Sequence, residues 1–426
     1  MNHTFSLNHS TSLKLFFSLL LIQSFNCFGT VDTWIQKADL PGIPRINAVS
    51  FVVNGQAFIG TGEDAQGNLL NDFWKFDPSV NAWSQVADFG GVPRKGSVGF
   101  AIDSLGYVGT GYDGTDFLKD FWQFSVSTNS WQQIQDLGQF GDPSSSSGRR
   151  DAVAVVANSK CYLICGYDGS SGYIKQTWQF DPSKDTSWAL RRNLANVTDF
   201  TLYGRRWAVG FGIQDMVYFG TGFSFSQDLK QDFWKYNPLL DAWTQVADFG
   251  GSFRSNAVAF SMYNKGYVGC GTSAFYENDF WRYDPFDNNW TQVADYGGIP
   301  MCNGVSFVIN NRGYAGLGND SIYSMKTDMW EYTPDSTTGI EDNIYSEKVS
   351  VFPNPVNEML NVELKSFKKN NPILFSLYNS TGQMILQEKI TGEKTQLNLS
   401  SIPKGIFFYS LENGKQKITC GKILLN

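Results

Sequence analysis

Residues 254–295 read RSNAVAFSMYNKGYVGCGTSAFYENDFWRYDPFDNNWTQVAD, and this stretch decides the fold. It holds four short segments, AVAF (257–260), GYVGCG (266–271), NDFWRYDP (278–285) and NNWTQVAD (288–295). Each is rich in aromatic or β-branched residues and bounded by Gly, Pro, Asn or Asp, which predicts four short antiparallel strands.

The same order recurs along the chain. The aromatic pair stands at Phe73-Trp74, Phe121-Trp122, Thr177-Trp178, Phe233-Trp234, Phe280-Trp281 and Met329-Trp330. A second tryptophan follows at Trp83, Trp131, Trp188, Trp243 and Trp290, about nine residues on. Self-similarity with a period of roughly fifty residues marks units that bury their apolar faces only against neighbours. Four strands in each of six repeats predict an all-β chain folded as a six-bladed β-propeller. The sixth repeat lacks a tryptophan strand after Trp330, whereas Trp34-Ile35-Gln36 precedes the first repeat alone. The N-terminal strand is therefore expected to complete the last blade and leave no open edge.

The order of a glycine pair, an Asp, an aromatic pair and a spaced tryptophan resembles the kelch repeat over about residues 32–335, with Gly-Thr-Gly at Gly60–Gly62, Gly109–Gly111 and Gly220–Gly222. The third repeat departs with Gln176-Thr177, and the sixth carries Met301 where the others have arginine. Kelch folds serve as binding platforms and as enzymes, so the resemblance selects no function.

The chain of 426 residues exceeds one propeller. Residues 1–29, with Lys14, the apolar run 15–22 and small residues toward Gly29, are expected to be a secretory signal peptide. A lipid anchor at Cys27 is the alternative, although Ser24-Phe25-Asn26 places bulky residues before it. The propeller is assigned to 30–335 and a polar linker to 336–346. Residues 347–426, with VSVFPNPVNEMLNVEL (349–364), LYNSTGQMI (377–385), LNLSSIPKGIFFYSL (397–411) and the closing Lys422-Ile423-Leu424, predict a small antiparallel β-sandwich. That order resembles the type A C-terminal sorting domain of the type IX secretion pathway of certain Gram-negative bacteria. The resemblance implies export, with the type IX machinery recognising residues 347–426, and a secreted or outer-membrane cell-surface location.

Composition narrows the chemistry. Both histidines, His3 and His9, lie in the signal segment, which removes the usual base of serine or cysteine nucleophile systems and the imidazole ligands of zinc or copper sites. The copper chemistry of galactose-oxidase-like kelch proteins is thereby excluded. No cofactor motif and no metal-ligand spacing is present. A net charge of −7 without a basic run argues against nucleic acid, and no apolar stretch beyond the signal approaches membrane-span length. Five cysteines follow Cys27, an odd number; Cys161 and Cys165 would stand about 13 Å apart on one strand, too far for a disulfide.

The twelve repeat tryptophans are expected to fill the wedges between blades. Arg45, Arg94, Arg149, Arg205 and Arg254 recur at the start of the innermost strand, so rotation about the axis sets them in a ring near one channel mouth. Two readings are open. The guanidiniums, with Arg150, could bind a carboxylate or sulfate ligand, or they could pair with Asp72, Asp120, Asp232, Asp279 and Asp328 at the head of the third strand. In the third repeat Gln176 replaces that acid, so Arg149 and Arg150 are the expected open positions. The connection from outer tryptophan to the next arginine is eleven residues after Trp34, Trp83 and Trp243, but eighteen after Trp131 and seventeen after Trp188. These additions, 139–147 and 193–203, point to the same sector. Aromatics outside the repeat pattern, Tyr173, Phe200, Tyr203, Trp207, Phe223, Phe225, Phe275 and Tyr276, are candidate ligand contacts, and Glu63 and Glu277 are the loop acids of that face.

The expected function is a non-catalytic binding module for an acidic glycan or a protein segment. The alternatives are a histidine-free carbohydrate-active enzyme, resembling the six-bladed kelch mutarotase of sialic acid, and a structural or adhesive surface protein.

Overall fold

In the computed structural model the described residues are 32–138, 147–170, 172–184, 188–194, 204–226, 228–334, 349–364, 373–379, 383–413 and 416–425. The signal segment 1–29, the linker 336–346, Phe200 and Tyr203 lie outside them.

All regular structure among the described residues is β. In the fifth repeat Val258–Met262, Lys265–Gly269, Phe280–Asp284 and Asn289–Val293 form one antiparallel sheet in chain order. Alternation decides its faces: Val258, Phe260 and Met262 are buried while Ala259 and Ser261 are only partly so. The first hairpin turns on Tyr263 and Asn264, both with φ near +50° (52° and 54°), the conformation a two-residue turn needs. Gly269 of the Gly-Cys-Gly faces Phe280, and a Cβ there would lie 2.1 Å from the phenylalanine ring. The glycine thus serves as a flat seat for the Phe of the aromatic pair.

Five further four-stranded sheets repeat this plan. In the one built on Val305–Ile309, Arg312–Gly316 and Met329–Thr333, the outer strand is Thr33–Lys37, with Trp34 opposite Tyr332. Aromatic rings fill the space between successive sheets: Phe100 and Tyr107 meet Phe180 at 6.0 and 5.3 Å, and Phe121 meets Trp188 at 4.7 Å. Phe76 meets Tyr314 in the same way at 5.9 Å, which joins the first sheet to the sixth. Trp178, Trp188 and Trp290 are buried and the other nine repeat tryptophans partly buried. Each fourth-strand indole also donates to a carbonyl of the preceding repeat, as Trp83 does to Ala38 at 2.8 Å and Trp34 to Ala294 at 3.2 Å.

Next to the innermost strands the repeats are tied by backbone hydrogen bonds. Gly96 N–H donates to Asn47 O, Asp151 to Gly96, Trp207 to Asp151, Asn256 to Trp207, Asn303 to Asn256 and Asn47 to Asn303, at 2.8–3.2 Å. All six residues have positive φ, between 54° and 65°. The cycle returns to its first member, and just beyond it lies a channel of about 210 Å³ lined by the small residues that open the innermost strands, Ala48, Ser97, Ala152, Ala208, Ala257 and Gly304 among them.

In the tail, Val349–Phe352, Met359–Leu364 and Lys394–Asn398 form one sheet, and Met384–Ile390, Ile373–Tyr378, Gly405–Asn413 and Gln416–Leu425 a second. Their core, with Leu360, Val362, Phe375, Leu377, Leu411 and Ile423, is drawn from the tail alone.

Candidate ligand site at the channel mouth

The repeat arginines are built into the fold. Arg45 donates from Nη1 to Asp72 Oδ1 at 2.6 Å, from Nη2 to Asp72 Oδ2 at 2.7 Å, and from Nη1 to the carbonyl of Thr61 at 3.1 Å. Trp74 Nε1 donates to Asp72 Oδ2 at 2.7 Å. Arginine, Gly-Thr-Gly and Asp-Phe-Trp are therefore one hydrogen-bonded unit, repeated at Arg94–Asp120, Arg205–Asp232 and Arg254–Asp279. Burial raises the Asp72 carboxyl, but the Arg45 hydrogen bonds and charge, with Trp74, outweigh it and hold the group below its ordinary value. All five arginines are at most 1% exposed. Of the two readings of the ring, the geometry is that of intramolecular pairing: Arg45, Arg94, Arg205 and Arg254 present no guanidinium face to a ligand. In the third repeat Arg149 is equally buried and donates to Gln176 Oε1 at 2.7 Å. Burial pulls its pKa down to about 10, and the charges of Cys165 and Asp168 oppose it only in part.

The residue after each repeat arginine, and after Met301 in the sixth repeat, makes a short β-bridge. Ile46, Lys95, Arg150, Arg206, Ser255 and Cys302 pair across a short bridge with Glu63, Tyr112, Tyr167, Phe223, Thr272 and Asn319. Three successive repeats put a cation there. Lys95 engages both carboxylate oxygens of Glu63, at 2.7 and 2.8 Å. Arg150 lies over the rings of Tyr112, Phe117 and Tyr167 at 5.4–5.9 Å. Arg206 lies over Tyr167 at 4.8 Å, Tyr173 at 5.6 Å and Trp207 at 3.7 Å. Ring contacts continue from Tyr112 through Phe117, Tyr167 and Tyr173 to Phe223 and Phe225. Stacking fixes both guanidiniums while leaving their planes' edges as hydrogen-bond donors.

Asp151 sits between these cations, its side chain 5% exposed and its Oδ2 3.4 Å from Arg150 Nε. Neither that oxygen nor the Nε atoms of Arg150 and Arg206 has a hydrogen-bond partner. Burial pushes the carboxyl up to about 6, and Arg150, Arg206, Trp207 and Lys95 only partly oppose it.

Of the residues singled out in the sequence, Arg150, Tyr173, Phe223, Phe225 and Trp207 come together here, with Glu63 at the edge through Lys95. Glu277 does not join them; it accepts from Ser252 and Ser273 in the fifth repeat, at 3.0 and 2.6 Å. Tyr203 lies outside the described residues. Lys95, Asp151, Arg206, Tyr112, Phe117 and Tyr167 escaped the sequence reading. For Lys95 and Arg206 the signal was a departure from the repeat: a basic residue in the place held by Ile46, Ser255 and Cys302 in other repeats.

The four cysteines of the repeats, Cys161, Cys165, Cys270 and Cys302, are buried free thiols.

Comparison with known proteins bears on both parts of the chain. Residues 350–426 match the secretion system C-terminal sorting domain family. The solved structure of YjhT is similar in fold, with a TM-score of 0.58 at 16% identity over 69% of this chain and 95% of that chain. No curated protein matches the sequence. No helix among the described residues is long and apolar enough to cross a membrane. The tail marks a type IX substrate, secreted or held at the cell surface.

Proposed function

We propose that this chain is a six-bladed kelch propeller, closed by its N-terminal strand, that binds an anionic ligand without catalysis at the cell surface or after release. The propeller would span 30–335, the linker 336–346 and the sorting domain 347–426. The cycle of backbone hydrogen bonds through Asn47 and Asn303 and the pairing of Thr33–Lys37 with Met329–Thr333 support the closed ring.

The observation that carries the binding role is the pair Arg150 and Arg206. Two guanidiniums held on aromatic faces, with donors not tied to carboxylates in bidentate pairs, suit an acidic glycan or an acidic protein segment, the aromatic stripe offering apolar contact beside them. The test is affinity for a panel of charged glycans and acidic peptides, with wild-type protein and the R150A/R206A variant. Binding that falls at least tenfold in the variant is expected; an absence of any ligand, or equal affinity, overturns the reading.

Asp151 favours a second reading as an enzyme, because a buried carboxyl titrating near neutrality beside two cations is the equipment of a general acid or base. Following sugar anomer interconversion by NMR with and without protein decides it, unchanged rates disposing of this reading.

A further inference from the structure

We propose that Asp151 is an internal counter-anion of the ligand site, so that anion binding at Arg150 and Arg206 takes up a proton and strengthens as the pH falls. The inference rests on the reading of Arg150 and Arg206 as the ligand groups.

The placement of Asp151 is unusual for a structural carboxylate. Asp72 and Asp232 are fastened by bidentate arginines and an indole N–H. Asp151 is as buried as they are, or more so, yet its Oδ2 reaches Arg150 Nε only at 3.4 Å and accepts no hydrogen bond. The groups facing it are known from every side: Arg150 on its own segment, Lys95 and Gly96 from the second repeat, Arg206 and Trp207 from the fourth. Gly96 leaves room for the carboxyl, since a Cβ there would stand 2.5 Å from Asp151 Oδ1. The neighbouring acid Glu63 is occupied by Lys95.

Such a carboxylate is held by the charges of Arg150, Arg206 and Lys95 and by the Trp207 side chain, with no directed bond to Oδ2. An incoming anion would compete for Arg150, repel Asp151 and exclude the remaining water, and all three favour the neutral acid. By linkage, protonation of Asp151 must then favour the anion to the same degree. Its upward-shifted titration near 6 sets the range in which the effect operates. No imidazole confuses that range, since His3 and His9 both precede the first repeat.

The experiment titrates the protein with inorganic sulfate and with dextran sulfate, neither of which changes charge between pH 5 and 8, at constant ionic strength. The variants are D151N and R150A/R206A. Asn is the residue found at three equivalent positions, Asn47, Asn256 and Asn303, with φ of 54–57°, so D151N preserves the backbone. Wild-type affinity should be about tenfold higher at pH 5 than at pH 8, with net proton uptake read from binding heats in two buffers of different ionisation enthalpy. D151N should bind at pH 8 as tightly as wild type does at pH 5, with no uptake. A pH dependence or proton uptake that survives in D151N overturns the proposal while leaving the ligand site standing. Affinity that R150A/R206A leaves intact removes the ligand site itself, and this inference with it.

Discussion

Arg149 donates to the side-chain oxygen of Gln176 at 2.7 Å, in the place where Arg45 grips both oxygens of Asp72. Gln176 is neutral where Asp72 is charged, and burial of the Arg149 guanidinium lowers its pKa against the charges of Cys165 and Asp168. Gln176→Glu would supply a carboxylate of the same shape to Arg149 and to Trp178, whose indole also donates to that oxygen. We expect stability to rise by about 1–2 kcal/mol at pH 7. The new carboxyl would have a lowered folded-state pKa, so the gain is present above about pH 4.3 and is lost as the pH falls through that lowered value. Thermal unfolding from pH 7 to pH 3 checks both statements. The reverse experiment, Asp72→Ala, should cost about 3–5 kcal/mol by leaving Arg45 buried and unpaired.

Asp151 predicts a stability effect of opposite sense. Its folded pKa of about 6 lies above the ordinary 3.8, so the charged form is disfavoured in the folded protein and stability is lost as the pH rises from about 4 through 6. Asp151→Asn should therefore stabilise the fold at pH 8 by about 2–3 kcal/mol and leave it nearly unchanged at pH 4. Paired melting curves at the two pH values measure the difference.

The fold was legible because its strongest contacts repeat. Arginine, Gly-x-Gly, Asp-Phe-Trp and the spaced tryptophan recur since each set closes the same hydrogen bonds and ring contacts, and a pattern kept with few departures over six repeats suppresses chance. The mouth was harder to read. Repetition points to Arg149 and Arg205, both buried, whereas the guanidiniums on the aromatic rings are those of Arg150, already expected beside Arg149, and of Arg206. Sequence alone does not tell which of two adjacent arginines is buried at the aspartate position and which lies on the aromatic rings. Asp151 carried no signal, since its titration depends on neighbours from three different repeats.

Trp207 is the bulky member of a set otherwise made of Asn, Gly and Asp, and its φ of +55° is a conformation large side chains disfavour. Strain of about 1–3 kcal/mol is retained at such positions when the side chain has a task. Here the indole lies 3.7 Å beneath the Arg206 guanidinium. Trp207→Asn should keep the backbone cycle and raise stability by about 1 kcal/mol while weakening anion binding, a trade that melting and titration together would reveal. Lower stability with unchanged affinity would make Trp207 a packing residue.

The outer strand Thr33–Lys37 brings Trp34 within 4.9 Å of Phe280, 5.2 Å of Tyr296 and 5.0 Å of Tyr332, ring centre to ring centre. Trp34→Ala should cost about 3 kcal/mol, and deleting 33–37 should cost more because five residues of ladder with Met329–Thr333 go as well. A melting temperature unchanged by the deletion would show that the exchanged strand contributes nothing to the sixth sheet.

The tail offers the sharpest separation of folding from address. Its buried cluster, from Val356 to Leu425, contains no residue of the repeats, and the clusters between the sheets contain none of the tail. Two cores that share no side chain should unfold independently, so a chain ending at residue 346 should retain the melting transition of the repeats. The same truncation removes the whole of the matched sorting domain. An address read by a receptor is lost with it, and the protein should stop in the periplasm of a strain with working type IX secretion. Fractionation of cells expressing full-length and truncated protein reads location, and melting of the purified truncation reads folding. Surface or medium localisation of the truncated chain would refute the sorting role, whereas loss of its melting transition would refute the boundary at 346.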